Sequence, residues 1–253
     1  MIRNISYIFA FLIFLLSPFA AADDRASTIG AHTVSATLTD VVGSAAAQVY
    51  EEVMPIDETI EWDIYVPANY DAATPPGVLV YISPDDSGKV PRRWTALLGD
   101  QNLIWVGANN SGNKINTHRR MTYALMALAV AQKRYKIDLD RAYLSGFSGG
   151  GRVASLLAVE YPALFKGAIY NSGANLWNKK TPLDLEPLKA NRYVFIAGKN
   201  DFNLDDTQRV YRAYKKAGID QVKLMVIPFM GHSNPKKKHY ERAIMFLDQR
   251  NKE

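Results

Sequence analysis

Residues 141–152 read Arg-Ala-Tyr-Leu-Ser-Gly-Phe-Ser-Gly-Gly-Gly-Arg, and this stretch decides the fold. Its first half, through Ser145, is a short apolar run that predicts a buried strand. After it, apolar residues recur at helical spacing: Val153, Leu156, Leu157 and Tyr161. The motif Gly-x-Ser-x-Gly lies between the two, with Ser148 at its centre. A sharp strand-to-helix turn lifts such a serine hydroxyl out of a sheet, and the flanking glycines relieve the crowding of the turn. Ser148 is therefore the candidate nucleophile.

Short apolar segments alternate with helical segments on both sides of this motif. The predicted strands are 60–66, 78–82, 103–107, 167–170, 193–197 and 222–227, and the predicted helices are 117–135, 207–216 and 239–250. The first of these strands alternates between apolar and polar residues, whereas the others are nearly continuous apolar runs, as strands covered on both faces are. This order predicts an α/β fold, a mostly parallel central sheet with helices on both faces.

A serine hydroxyl is a poor nucleophile at neutral pH, so it requires a base and a carboxylate that orients the base. His232 follows the strand 222–227 and projects from the carboxyl edge of the sheet, where Ser148 also lies. His239, at the start of the next helix, is the alternative base. Asp201 follows the strand 193–197 at the same edge, with Asp205 as the alternative. The chain order Ser148, Asp201, His232 is the order of this architecture.

Asp206 has a different predicted role, because Asp206-Thr207 is expected to begin the next helix and to cap its free amides.

A developing oxyanion requires two amide donors. One is the backbone amide of the residue after the nucleophile, Gly149, and the other comes from the loop after an earlier central strand. In that loop, residues 83–88, Pro84 has no amide hydrogen. We therefore predict the Asp85 amide as the second donor.

These residues resemble the α/β-hydrolase superfamily, and within it the secreted esterases grouped with polyhydroxybutyrate depolymerases, feruloyl esterases and related peptidases. The resemblance runs from about Trp62 to Leu247 and is carried by Tyr65-Val66-Pro67, Asp140-Arg141-Ala142-Tyr143, Gly146 to Gly150, Gly198-x-x-Asp201 and Gly231-His232. It implies a Ser148 nucleophile, a His232 base, an Asp201 orienting group and no cofactor or metal. One departure is Ser83-Pro84, where relatives usually carry His-Gly.

About 22 residues separate the strands that end near Tyr170 and begin at Tyr193, which is too few for a large lid domain. An open, shallow site is expected, lined on the acyl or alcohol side by Asn175, Trp177 and Phe202. For Trp177, packing in the core is an equal alternative. The leading hypothesis is a serine carboxylic-ester hydrolase for short or polymer-attached esters. A serine peptidase of the same fold and a catalytically weak binding protein are the alternatives, the latter because of Ser83-Pro84.

Residues 1–22 contain one basic residue, an apolar stretch and small residues before Asp23-Asp24, which is typical of a cleaved secretory signal peptide. We expect a secreted or periplasmic protein that is not inserted in a membrane after cleavage. Residues 23–56 are predicted as an irregular lead-in or edge strand and 57–253 as the catalytic domain. The chain has no cysteine and therefore forms no disulfide bond. Its net charge of +5 is spread along its length, so a nucleic-acid partner is not expected.

Overall fold

The computed structural model describes residues 28–177 and 184–249. The described residues form eight strands: β1 Gly30–Ala36, β2 Ile60–Val66, β3 Gly77–Ile82, β4 Leu103–Ala108, β5 Ala142–Phe147, β6 Gly167–Asn171, β7 Arg192–Gly198 and β8 Val222–Ile227. They also form eight α-helices: α1 Leu38–Val42, α2 Ser44–Ala47, α3 Thr95–Asp100, α4 Thr117–Arg134, α5 Gly149–Glu160, α6 Glu186–Lys189, α7 Leu204–Lys216 and α8 Lys237–Leu247.

The eight strands form one sheet in the order β1-β2-β4-β3-β5-β6-β7-β8. Only β2 runs against its neighbours, since it pairs antiparallel with β1 and β4 while every other pairing is parallel. The carboxyl ends of β3 to β8 therefore meet at one edge. The loops that carry Ser148, Asp201 and His232 all start from this edge.

Both faces of the sheet are buried. In β3, Val78, Val80 and Ile82 belong to one hydrophobic cluster, whereas Leu79 and Tyr81 belong to a second cluster on the opposite face. The larger cluster contains buried side chains of α4 and α5, and the smaller one contains those of α3 and α8. Alternate residues of one strand thus pack under different helices, which explains the continuous apolar runs. The predicted mostly parallel sheet with helices on both faces is confirmed.

The segment before β2 contributes to the same sheet and core. β1 pairs with β2 over its whole length as the edge strand, and Leu38 and Val41 of α1 are buried in the larger cluster. The predicted signal peptide, residues 1–22, lies outside the described residues.

Candidate functional site

Ser148 lies at the turn between β5 and α5, in a backbone conformation that a side chain rarely adopts. Its φ is 54° and its ψ is −119°, outside the regions that are favourable for L-residues. The turn tolerates no side chain at Gly146 or Gly150, because a Cβ at Gly146 would overlap the backbone of Gly150, and one at Gly150 the carbonyl of Ile82. The sheet and helix therefore hold Ser148 in a strained position at the carboxyl edge.

His232 connects Ser148 to Asp201. Its Nε2 lies 2.9 Å from Ser148 Oγ, and its Nδ1 lies 2.9 Å from Asp201 Oδ1. An ionised carboxylate can only accept hydrogen bonds, so Nδ1 carries the proton and donates to Asp201. Nε2 is then the acceptor for the serine hydroxyl. This is the arrangement that a general base needs to take a proton from Ser148.

Asp201 is held from two sides. Its side chain is fully buried, and Oδ1 accepts a second hydrogen bond, of 2.8 Å, from the backbone amide of Asn203. Asn203 in turn donates from its side chain to the carbonyl of Ser172. The carboxylate is thereby fixed relative to the loop after β6, which keeps its oxygen aimed at the imidazole.

The structure separates the alternatives that the sequence left open. His239 lies in the first turn of α8 beside lysines, and its pKa is lowered by burial and by Lys238, Arg242 and Lys236. Asp205 is exposed on α7. Neither takes the place of His232 or Asp201 in the hydrogen-bonded chain.

The expected capping role of Asp206 is wrong. α7 begins at Leu204 and its N-cap position is Asn203, so Asp206 lies within the first turn. Its carboxylate accepts hydrogen bonds from Arg152 and Arg209 instead. Asp206 thus ties α7 to α5, the helix that follows Ser148.

The three residues predicted to line the substrate site lie in different surroundings. Phe202 is beside the triad, with its ring centroid 4.2 Å from that of His232. Asn175 instead accepts a hydrogen bond from Arg152 and donates its backbone amide to Ser155 Oγ. Trp177 packs against Tyr214 and the larger hydrophobic cluster, in agreement with the alternative hypothesis that this side chain packs in the core.

The two predicted oxyanion donors differ in their availability. Gly149 is the first residue of α5, so its amide has no acceptor inside the helix. The Asp85 amide, by contrast, donates to Ser83 Oγ at 3.1 Å. The predicted second donor is already engaged, because Ser83 turns its hydroxyl back on its own loop as serines in turns do.

Sequence reasoning missed Arg120 and Asn113, which lie next to this loop. Arg120 of α4 is only 4 % exposed, and its guanidinium donates to the carbonyls of Ser83 and Ser111, at 2.7 and 2.8 Å, and to Asn113 Oδ1 at 3.3 Å. Burial lowers the pKa of Arg120. A signal was present in the sequence, since Arg120 shares a helix face with Ala124 and Ala127 and so places a charge on an apolar face.

Within residues 28–177 and 184–249, His, Cys, Asp and Glu side chains do not gather in groups of three or more that could hold a metal ion. Over the same residues, no helix combines the length and the apolar character needed to span a bilayer.

Residues 101–183 match the model of a family described as Esterase PHB depolymerase. The matched segment is about a third of the chain and includes the turn that carries Ser148. A search of curated proteins finds no match.

Solved structures share the fold at low sequence identity. The feruloyl esterase module from Clostridium thermocellum, complexed with sinapinate, is 16% identical, and the alignment covers 92% of this chain and 94% of that chain with a TM-score of 0.59. A fungal esterase from Rhizomucor miehei is 11% identical, with 95% and 88% covered and a TM-score of 0.63. A protein described as a dipeptidyl aminopeptidase IV from Bacteroides ovatus is 15% identical over 88% of this chain, with a TM-score of 0.60, but only 36% of that chain is covered. This chain therefore spans about a third of that peptidase's length.

Proposed function

We propose that this chain, which has the α/β-hydrolase fold, is a serine carboxylesterase of the polyhydroxybutyrate depolymerase-like group, and that Ser148, His232 and Asp201 are its catalytic triad. The family match and the fold confirm the resemblance drawn from the sequence. The observation that carries the proposal is the continuous chain of two 2.9 Å hydrogen bonds from Ser148 through His232 to Asp201.

The reaction follows from this geometry. As His232 Nε2 takes the hydroxyl proton, Ser148 Oγ attacks the ester carbonyl and a tetrahedral oxyanion forms. The carbon–oxygen bond to the alcohol then breaks, His232 gives the proton to the leaving alkoxide, and an acyl-enzyme remains. Water repeats the sequence with His232 as the base, which releases the carboxylic acid and restores Ser148. Asp201 stabilises the imidazolium that forms in each half-reaction.

The surroundings of the triad support short or polymer-attached esters as substrates. Phe202 is 78 % exposed although its ring contacts His232, so the histidine lies close to open solvent. Between β6 and β7, the described residues contain one helix, the four-residue α6. A site that no helical domain of the described residues covers suits a small ester or an ester group on a polymer better than a buried fatty acyl chain.

Export is the second part of the proposal. The apolar segment and small residues of 1–22 support a cleaved signal peptide and a secreted or periplasmic mature enzyme. N-terminal sequencing of the protein recovered from the periplasm and the culture medium tests this, because a start near Asp23 is expected and an intact Met1 contradicts it.

Hydrolysis of p-nitrophenyl esters from acetate to decanoate tests the chemistry. The protein from Asp23 is compared with Ser148→Ala and with Ser35→Ala, a matched change at an exposed position of the edge strand β1. We expect turnover that falls as the acyl chain lengthens. Turnover is expected to be lost in Ser148→Ala and to be unchanged in Ser35→Ala.

The same experiment separates the alternatives. Cleavage of p-nitroanilides at rates similar to those of the esters would favour a peptidase. Absence of turnover on both kinds of substrate by the folded wild-type protein would favour a binding role and contradict the proposal.

A further inference from the structure

We propose that the side-chain amide of Asn113 is the second oxyanion donor of this enzyme, and that the buried Arg120 is the positioning residue that aims it. The inference rests on the proposed function, since it names the group that stabilises the charge formed when Ser148 attacks. It assigns to a side chain after β4 the role that the sequence predicts for the Asp85 backbone amide after β3.

The first observation is the contact between Asn113 and the turn of the nucleophile. A Cβ built on Gly149 would overlap Asn113 Oδ1 and would lie 2.8 Å from its Cγ and 3.1 Å from its Nδ2. The amide group therefore packs directly against Gly149, the residue whose backbone amide is the predicted first oxyanion donor. Only a glycine at position 149 leaves room for it.

The second observation fixes which way the Asn113 amide faces. Arg120 Nη1 donates to Oδ1 of Asn113 at 3.3 Å. A guanidinium has no acceptor, so the oxygen must be the atom turned toward Arg120 and Nδ2 is the free end. Asn113 is exposed, and Nδ2 donates to no acceptor among the described residues. An unpaired donor beside Gly149 is thus open to a substrate oxygen.

The third observation is that the loops around Asn113 are rigidly joined. The Asn113 backbone amide donates to the carbonyl of Pro84 at 2.9 Å, and the Gly112 amide donates to Asp86 Oδ1 at 3.1 Å. Arg120 also binds the carbonyls of Ser83 and Ser111. Asn113 is therefore fixed by its backbone as well as by its side chain, as a preorganised donor must be.

The charge of Arg120 adds to this arrangement. Its acceptors are two backbone carbonyls and an amide oxygen, and no carboxylate of the described residues pairs with it. A guanidinium remains charged even when it is buried. It polarises the Asn113 amide through Oδ1, which makes the Nδ2 hydrogens better donors. The neighbouring loop, which carries Asn113, thus supplies the oxyanion donor that the loop with Ser83-Pro84 in place of His-Gly does not.

Steady-state kinetics on p-nitrophenyl acetate with Asn113→Ala and Asn113→Asp test the inference. An oxyanion donor acts in the transition state, so we expect kcat to fall by about 100-fold to 1,000-fold while KM changes little. Asn113→Asp keeps the shape and replaces the donor by an acceptor, so it is expected to lose at least as much. Asn69→Ala is the matched control, an exposed asparagine that bonds Gly99 at the opposite edge of the sheet.

Arg120→Lys tests the positioning role. Lysine keeps the charge but cannot bind three acceptors in a plane. We expect kcat to fall in Arg120→Lys, and a further Asn113→Ala change in that background to cost much less than it costs in the wild type. Additive effects of the two changes would contradict a positioning role for Arg120.

Two results would overturn the inference for Asn113. One is a kcat for Asn113→Ala within threefold of that for Asn69→Ala at similar thermal stability. The other is a structure of the phosphonate adduct of Ser148 in which the phosphoryl oxygen binds the Asp85 amide instead of Asn113. Failure of the proposed function is distinct, because the wild-type protein itself would then hydrolyse no ester.

Discussion

Phe202 places its ring 4.2 Å from the imidazole of His232, centroid to centroid, while 78 % of the phenylalanine is exposed to solvent. The exposed ring of Phe202 thus forms an apolar surface beside the imidazole of His232. In the proposed mechanism His232 gives its proton to the departing alkoxide, so we expect the surface next to it to contact the alcohol part of the ester.

The Phe202 contact predicts a preference for esters of apolar alcohols. Phe202→Ala is expected to lower kcat/KM for benzyl acetate by about tenfold, because a partly buried apolar contact contributes about 1.4 kcal/mol. For methyl acetate the change is expected to be small. Met245→Ala, an exposed apolar residue on α8, is the control. An equal loss on both esters would show instead that Phe202 acts by orienting His232.

At position 229 we predict that a glycine variant is more stable than an alanine variant, which is the reverse of the usual order. The residue is 96 % exposed and has a φ of 58°, a left-handed conformation that is unfavourable for bulky side chains. Phe229→Gly is expected to be more stable than Phe229→Ala by about 1 kcal/mol, because only glycine adopts this conformation without a penalty. Urea unfolding of both variants measures the difference. Greater stability of the alanine variant would contradict a strained backbone at this position.

We predict that the turn at Ser148 requires glycine at position 150 for stability. Gly150→Ala is expected to destabilise the protein by about 3 kcal/mol, because the new Cβ would overlap the backbone carbonyl of Ile82 in β3. Gly99→Ala is the control, since it lies in α3 and meets nothing closer than 3.7 Å. There, alanine is expected to stabilise by about 0.5–1 kcal/mol. Thermal unfolding separates the two variants, and similar melting temperatures would contradict the prediction.

Asp206 predicts a pH-dependent contribution to stability. Burial raises the pKa of this carboxyl, but hydrogen bonds from Arg209 and Arg152 lower it by more, so it lies below its ordinary value of 3.8. The ionised carboxylate therefore stabilises the fold above about pH 3.8, and the contribution is lost as the pH falls below that value.

Asp206→Asn is accordingly expected to reduce the free energy of unfolding at pH 7 and to reduce it less at pH 3. Denaturant unfolding at the two pH values measures this. Asp205→Asn, the exposed neighbour on the same helix, is expected to change stability little at either pH. An effect of Asp206→Asn that is the same at both pH values would contradict the pKa shift.

The sequence alone determined the mostly parallel character of the sheet, the approximate bounds of its central strands and the identity of the three triad candidates. Strand 222–227 has the bounds that the apolar run predicts, and the other central strands agree within two residues at each end. This succeeded because strands covered on both faces are continuous apolar runs, and because parallel strands bring their carboxyl ends, and hence Ser148, Asp201 and His232, to one edge.

Only the tertiary structure decided the partners of the polar groups around the triad. Asp206 binds Arg152, which is 54 residues away in the chain, and Asn113 reaches Gly149 because α4 and α5 pack on the same face. The Asp85 amide looked free in the sequence, yet Ser83 Oγ accepts from it. Local patterns report which residues are buried, whereas hydrogen-bond partners depend on the packing of segments that are distant in sequence, and no periodicity records that packing.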